Sequence, residues 1–231
     1  MGMIFTGFEI LKENKWIKNP AKAMELMKSL DNPALGPLRK MALGVLALTF
    51  VTAMSGGMVA GLDAGWIYNT FPKMGDDWFP NSRELMDPNF ARKNDKSDLW
   101  WRNMLENPTT VQLNHRILAI STFFTVFALH MYCGKRKSII PKAADHTVKA
   151  MMGIVTLQAG LGIATLIYLV PISLASLHQA GALALFTSAI IFAAQLKKPR
   201  VPMKLLVSGL YVQQAKKSGS KILSEASKLA N

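Results

Sequence analysis

Residues 171–196 read PISLASLHQAGALALFTSAIIFAAQL, a run without Asp, Glu, Lys or Arg, closed by Lys197 and Lys198. A helix crosses a bilayer core with about 20 apolar residues, so this stretch is long enough to span one. It carries a single ionisable ring, His178, seven residues after Pro171. An imidazole inside lipid is costly unless another helix or a bound group satisfies it, so the stretch poses the question of what faces His178.

Three further stretches have the same character. They are residues 41–61 (MALGVLALTFVTAMSGGMVAG), residues 111–133 (VQLNHRILAISTFFTVFALHMYC) and residues 150–170, which include Gly153, Gln158, Gly160 and Gly162. With residues 172–196 they predict an all-α membrane protein, a four-transmembrane-helix bundle with a long polar loop, residues 62–110, between the first and second helices. Residues 39–198 are expected to form this bundle, residues 1–38 an amphipathic membrane-surface segment, and residues 199–231 a basic amphipathic tail. A short helix is expected from Asn19-Pro20 to Asn32-Pro33, a break at Leu35-Gly36-Pro37, and a disordered end to the tail.

The composition narrows the function. The chain has 231 residues, half of them hydrophobic, and a formal net charge of +13. Such a charge would suggest nucleic acid if it formed one soluble face, but the basic residues sit at the ends of apolar runs, so no nucleic-acid partner is expected. The single Cys133 excludes an internal disulfide and reads as a buried, inert thiol. The first residues lack the apolar core and small-residue cleavage site of a signal or transit peptide. Among the glycines, Gly57 and Gly61 form a GxxxG pair, which favours close helix packing or room for a flat cofactor.

Orientation follows from charge. The loop of residues 62–110 holds eight acidic and six basic residues, whereas Arg39-Lys40, the loop of residues 135–149 and Lys197-Lys198 fall together on the opposite face. By the positive-inside rule that basic face is the inner one. Trp66, Tyr68, Trp78, Trp100 and Trp101 are placed to anchor the loop at the outer interface.

Depth follows from helical rise. His115 lies seven residues after Pro108, as His178 does after Pro171, so each ring is about 10 Å below the outer end of its helix. The second and fourth helices run in the same direction, which puts both imidazoles at one level. Counting back along the other two helices brings Gly56 and Gly57, and Gly160 and Gly162, to that level, with Ala119 and Gly181 nearby. Two facing histidines among small residues suit the axial ligands of a haem iron. Arg116 is placed for a haem propionate, and Gln112 or Gln179 for orienting a ligand. The plain alternative is a pair of hydrogen-bonded core histidines. Zinc would need more ligands than this level offers. A two-haem arrangement would need His130 and His146 as a second pair, and His146 lies in a polar loop. Gln158 reads as glue between helices.

The stretches SGGMVAGLDAGWIYNTFPKMG (residues 55–75), ENPTTVQLNHRILAI (residues 106–120) and PISLASLHQAGALAL (residues 171–185) resemble the C-terminal half of the haem A synthase family. The likeness runs from about Arg39 to Leu196. It implies two fused four-helix bundles, of which this chain matches the second. That half would hold haem b through His115 and His178; by the depth count above, Arg116, Gly57, Gly160 and Gly181 are expected to line the cofactor. No residue is assigned to catalysis. The first bundle would bind haem O, whose methyl group is oxidised to the formyl group of haem A. Because that bundle has no counterpart here, the chain is expected to be a fragment, a truncated gene product or half of a split protein.

The resemblance further implies an oxidoreductase of the mitochondrial inner membrane, serving cytochrome c oxidase assembly. The expected partners are an electron-transfer protein, haem O synthase or oxidase assembly factors, the membrane itself and a second copy in a homo-oligomer. The alternative is a stand-alone b-type electron carrier or haem-handling module without oxidase chemistry.

Overall fold

The computed structural model describes residues 2–229, with side chains through residue 218. The helices are α1 (Gly2–Lys18), α2 (Pro20–Asp31), α3 (Gly36–Gly61), α4 (Ser82–Leu85), α5 (Leu99–Glu106), α6 (Pro108–Gly134), α7 (Lys142–Ile167), α8 (Ile172–Leu196) and α9 (Val201–Leu229). No strand forms among the described residues, and α3, α6, α7 and α8 are long and apolar enough to cross a membrane.

Local chemistry accounts for most helix ends. Asn107 caps α6 by accepting a hydrogen bond from the Thr109 N–H at 3.0 Å, with Pro108 in the first turn. A proline fits there because its missing N–H has no helical partner to lose. The same reason corrects the expected break at Leu35-Gly36-Pro37. The interruption is a 3-10 turn at Pro33–Leu35, and Pro37 belongs to the first turn of α3. Helix α7 ends where Leu169 and Val170 adopt left-handed backbone angles, φ 60° and 54°. It also begins at Lys142, earlier than hydropathy places it, with the exposed Lys149 paired to Asp145 at 2.5 Å.

Helix α3 packs on α6 and α8, and α7 packs on α6 and α8, so the ring order is α3–α6–α7–α8. That order sets α6 and α8, the two helices with the predicted ligands, on one diagonal. The hydrophobic core occupies the half of the bundle toward the basic ends. There Leu38, Val45, Val126, Leu129, Met151 and Phe192 are all but sealed from solvent. Outward-facing Leu43, Phe124, Leu157 and Leu183 are exposed, as lipid-facing side chains should be.

The segments expected at the basic surface pack on one another. Met27, Leu30 and Val207 join α2 to α9 together with Trp16 of α1, and Lys204 pairs with Asp31 at 2.6 Å. Helix α1 is tied to the end of α8: Lys12 donates to the Ala194 carbonyl at 3.1 Å, and Glu9 pairs with Lys197 at 2.9 Å. Burial alone would push the Glu9 carboxyl up, but the ammonium groups of Lys197 and Lys12 outweigh it and hold it below the ordinary carboxylate range. Arg39 is more than an edge marker, since it donates to the Leu196 and Leu30 carbonyls at the ends of α8 and α2. Helix α9 continues to Leu229; Ala230 and Asn231, the end of the tail expected to be disordered, lie outside the described residues.

The loop between α3 and α6 is built rather than slack. Asn103, fully buried, donates to the Asp87 carbonyl at 3.1 Å and accepts from the Asp87 N–H at 3.0 Å. Asn107 donates to Asn103 at 2.8 Å and to the Glu84 carbonyl at 2.7 Å. Asp98 is 2% exposed. Burial would raise its pKa, yet the N–H groups of Arg92 and Lys93 and the Arg102 guanidinium hold it below the usual range.

Helix α5 is turned inside out: Asn103 and Arg102 face the loop interior while Trp100, Trp101 and Leu105 are exposed. Three residues of the stretch 55–75 have backbone roles. Asp63 takes the left-handed angle that ends α3, Lys73 offers its carbonyl to Arg116, and buried Met74 bridges to Asp77.

Candidate functional site

The half of the bundle toward the loop is unlike the basic half. Across residues 46–63 of α3 and its exit, 112–125 of α6 and 156–184 of α7 and α8, no apolar side chain is buried. The buried residues of these segments are Thr49, Ser55, Gln112, Thr122 and Gln158, all polar. Protein interiors are normally packed to crystal density by apolar side chains. This half of the bundle is instead built from buried polar side chains and partly buried neighbours.

His115 and His178 stand in this half, on diagonal helices. Each leans on a glycine. A Cβ on Gly56 would stand 3.1 Å from His115 Cε1, and one on Gly162 would stand 2.9 Å from His178 Cε1. The contact at Gly162 is shorter than real side chains make and the one at Gly56 is tight, so a side chain at either position would make its ring shift, more so at Gly162. The Nδ1 of His115 lies 2.8 Å from Ser55 Oγ. The Nδ1 of His178 is buried beside the Gln158 main chain without a hydrogen bond of ordinary geometry.

The other predicted site residues are distributed differently from expectation. Gly57 and Gly160 have no atom within 4 Å of a Cβ position, so the glycines against the rings are their near neighbours Gly56 and Gly162. Gly181 faces Gln158, whose side-chain oxygen occupies the space a Cβ there would need. Gln158 thus joins α7 to α8 by close fit, and its Oε1 has no hydrogen-bond partner. Arg116 turns to the loop, donating to the Tyr68 carbonyl at 2.9 Å and the Lys73 carbonyl at 3.1 Å, while its Nε stays without a partner. Gln112 is likewise committed, to the Ala64 carbonyl at 2.8 Å, and Gln179 is exposed. Ala119 is partly buried. Arg116 and Gln112 therefore pin the loop over the end of the bundle.

The remaining histidines do not form a matching pair. His130 has a buried Nδ1 without a partner, whereas His146 is at an exposed turn of α7 with its Nδ1 on the Lys142 carbonyl at 2.8 Å. The role of Ser55 is not legible in the sequence. Its only signal was its place, one residue before the glycine at histidine depth.

Comparison with known proteins identifies the family. The COX15-CtaA family, described as cytochrome oxidase assembly protein, matches residues 2–190. The chain belongs to this family. It is 64% identical over its whole length to "Heme A synthase COX15" of Saccharomyces cerevisiae, spanning 47% of that protein. Over 165 residues, 71% of the chain, it is 40% identical to "Heme A synthase COX15" of Homo sapiens, spanning 37% of it. Over 202 residues, 85% of the chain, it is 42% identical to "Heme A synthase-mitochondrial ferredoxin fusion protein" of Schizosaccharomyces pombe, spanning 32% of it. The chain therefore spans less than half the length of each of these COX15-CtaA relatives. No solved structure matches it.

Proposed function

We propose that the chain is the haem b-binding half of a haem A synthase, with His115 and His178 as the two axial ligands. The observation that carries this reading is the half-bundle around the two imidazoles, whose buried side chains are all polar. The donor set fits: two imidazoles from diagonal helices, each held against a bare glycine, present nitrogen ligands to a flat group between them. When bound, haem b would supply one-electron redox chemistry. The protein's own residues do the rest. Gly56 and Gly162 admit the rings, Ser55 holds His115, Gln158 packs beside His178, and Arg116 and Gln112 draw the loop down to exclude water. Arg116 Nε is the atom left for a propionate.

Residues 39–198 form the bundle unit of this proposal, with 1–38 and 199–231 as its surface segments. Charge supports the matrix side for the basic ends and the intermembrane space for the loop, in the mitochondrial inner membrane. The inside-out α5 supports a loop whose outer face rests in the lipid interface. In nanodiscs of brominated lipid, tryptophan emission is expected to be quenched, and less so in a Trp100→Phe, Trp101→Phe variant. Equal quenching in the variant removes α5 from the lipid surface.

In the whole enzyme this half would serve oxidation of the haem O methyl group bound by the other half. The fission-yeast relative carries a mitochondrial ferredoxin in its name, which supports an electron-transfer partner of that class. Haem O synthase, oxidase assembly factors and a second copy of the chain remain the other partners of the proposal.

The test is haem content. The purified chain is expected to carry one b-type haem by pyridine haemochrome assay. Two per chain would favour a stand-alone carrier, and none would end the proposal. Joined to a partner bundle with its own histidine pair, the chain is expected to convert haem O to haem A; alone it is not.

A further inference from the structure

We infer that Ser55 prepares His115 for metal binding by fixing which ring nitrogen carries the proton. The inference rests on the haem b reading for what His115 binds, but the proton's position does not depend on that reading.

Ser55 Oγ has one proton to give and two neighbours, the Thr52 carbonyl at 2.7 Å and His115 Nδ1 at 2.8 Å. A carbonyl only accepts, so the hydroxyl proton goes to Thr52. Oγ must then accept from the ring, and Nδ1 carries the proton. A neutral imidazole has one N–H, so the Nε2 lone pair is left free for a metal.

The opposite assignment would leave the Thr52 carbonyl without this donor and cap Nε2 with hydrogen. The scaffold behind the bond is rigid: the Thr52 hydroxyl lies 2.8 Å from Thr122 Oγ1, which also donates to the Leu118 carbonyl at 2.8 Å, tying α3 to α6 one turn away. Ser55 itself is 9% exposed. His178 has no such support, since its buried Nδ1 has no hydrogen-bond partner. The pair is therefore unequal, with a side-chain hydroxyl behind one ring and only main chain beside the other.

An acceptor at Nδ1 makes the far nitrogen more basic and orients the ring, and groups in this position affect metal affinity about 10- to 100-fold. Ser55 is thus a positioning residue. It would favour the ferric state of a haem held there, because a more basic ligand stabilises the more highly charged iron.

Nitrogen-15 histidine spectra of the full chain in detergent, before haem is added, are expected to show His115 protonated at Nδ1. Ser55→Ala is expected to lose that preference. After haem b is added, Ser55→Ala is expected to bind it about tenfold more weakly and to show a higher reduction potential. Ser55→Thr, which keeps the hydroxyl, restores both. A proton on Nε2 in the wild-type chain overturns the inference. So does Ser55→Ala with wild-type affinity and potential, or with lowered haem content and an unmoved potential, the mark of a merely structural role. A wild-type chain that takes up no haem would end the haem b reading, while the nitrogen-15 signal of the same sample would still decide Ser55.

Discussion

Replacing His115 or His178 by Ala is expected to abolish the low-spin b-type spectrum of the purified chain, whereas His130→Ala leaves it intact. The contrast is geometric. His115 and His178 face the part of the bundle where no apolar side chain is buried, and each rests on a glycine that leaves room for its ring. His130 belongs to the packed basic half, between the buried Leu129 and Cys133. With one of the two imidazoles removed, a haem would be held by a single side chain of this chain, and absorption and electron paramagnetic resonance would report the change directly. Circular dichroism should stay helical in all three variants, because the core that holds the bundle lies in the other half. Wild-type haem content and spectrum in both His115→Ala and His178→Ala would remove the proposed function.

Gly162→Val is expected to displace His178, whereas Gly160→Val has little effect. A Cβ at Gly162 already falls 2.9 Å from His178 Cε1 and 3.4 Å from Nε2, and valine adds two methyl groups to it. The ring must swing away or α7 and α8 must part, a strain of about 1–3 kcal/mol. Taken from haem binding, that is about a 5- to 150-fold loss of affinity. Two residues along a helix turn about 200°, so Gly160 points away from the ring, and its Cβ position has no neighbour within 4 Å. Haem titration of the two variants checks the difference, and equal losses would mean that Gly162 does not set the His178 position. If Gly160→Val alone lost haem, the cofactor would lie on the outer side of α7.

Much of the molecule was legible in the sequence, and the reason is that the legible parts are local. Apolar length and flanking charge identify the four long helices, and a fixed rise per residue brings His115 and His178 to a common depth without any knowledge of packing. The motif stretches around Ser55, His115 and His178 identify the family. Rotation about the helix axis was not legible. Depth counting brought Gly56 and Gly57, and Gly160 and Gly162, to one level. Only the packing of α3 on α6 and of α7 on α8 selects Gly56 and Gly162 as the residues the rings touch.

The same limit applies to polar side chains. Arg116 beside a ligand reads as a partner for an anionic group, but its guanidinium meets the Tyr68 and Lys73 carbonyls, which lie more than forty positions earlier in the chain. Asn103 and Asn107 look like ordinary loop residues until the loop folds over them. The inside-out character of α5 needs the loop interior to be known before its outer face can be recognised.

What the sequence by itself determined is which segments are helices long enough to cross a bilayer, which end of them is basic, how deep the two histidines sit and to which family they belong. Each of these follows from hydropathy, charge or helical rise within a few turns of chain. The tertiary structure alone decided which glycine meets which ring, that Ser55 holds His115 while His178 is left without a partner, and that Arg116 serves the loop. Those facts depend on the rotation and close approach of helices distant in the chain, and contacts of that kind exist only once the bundle has packed.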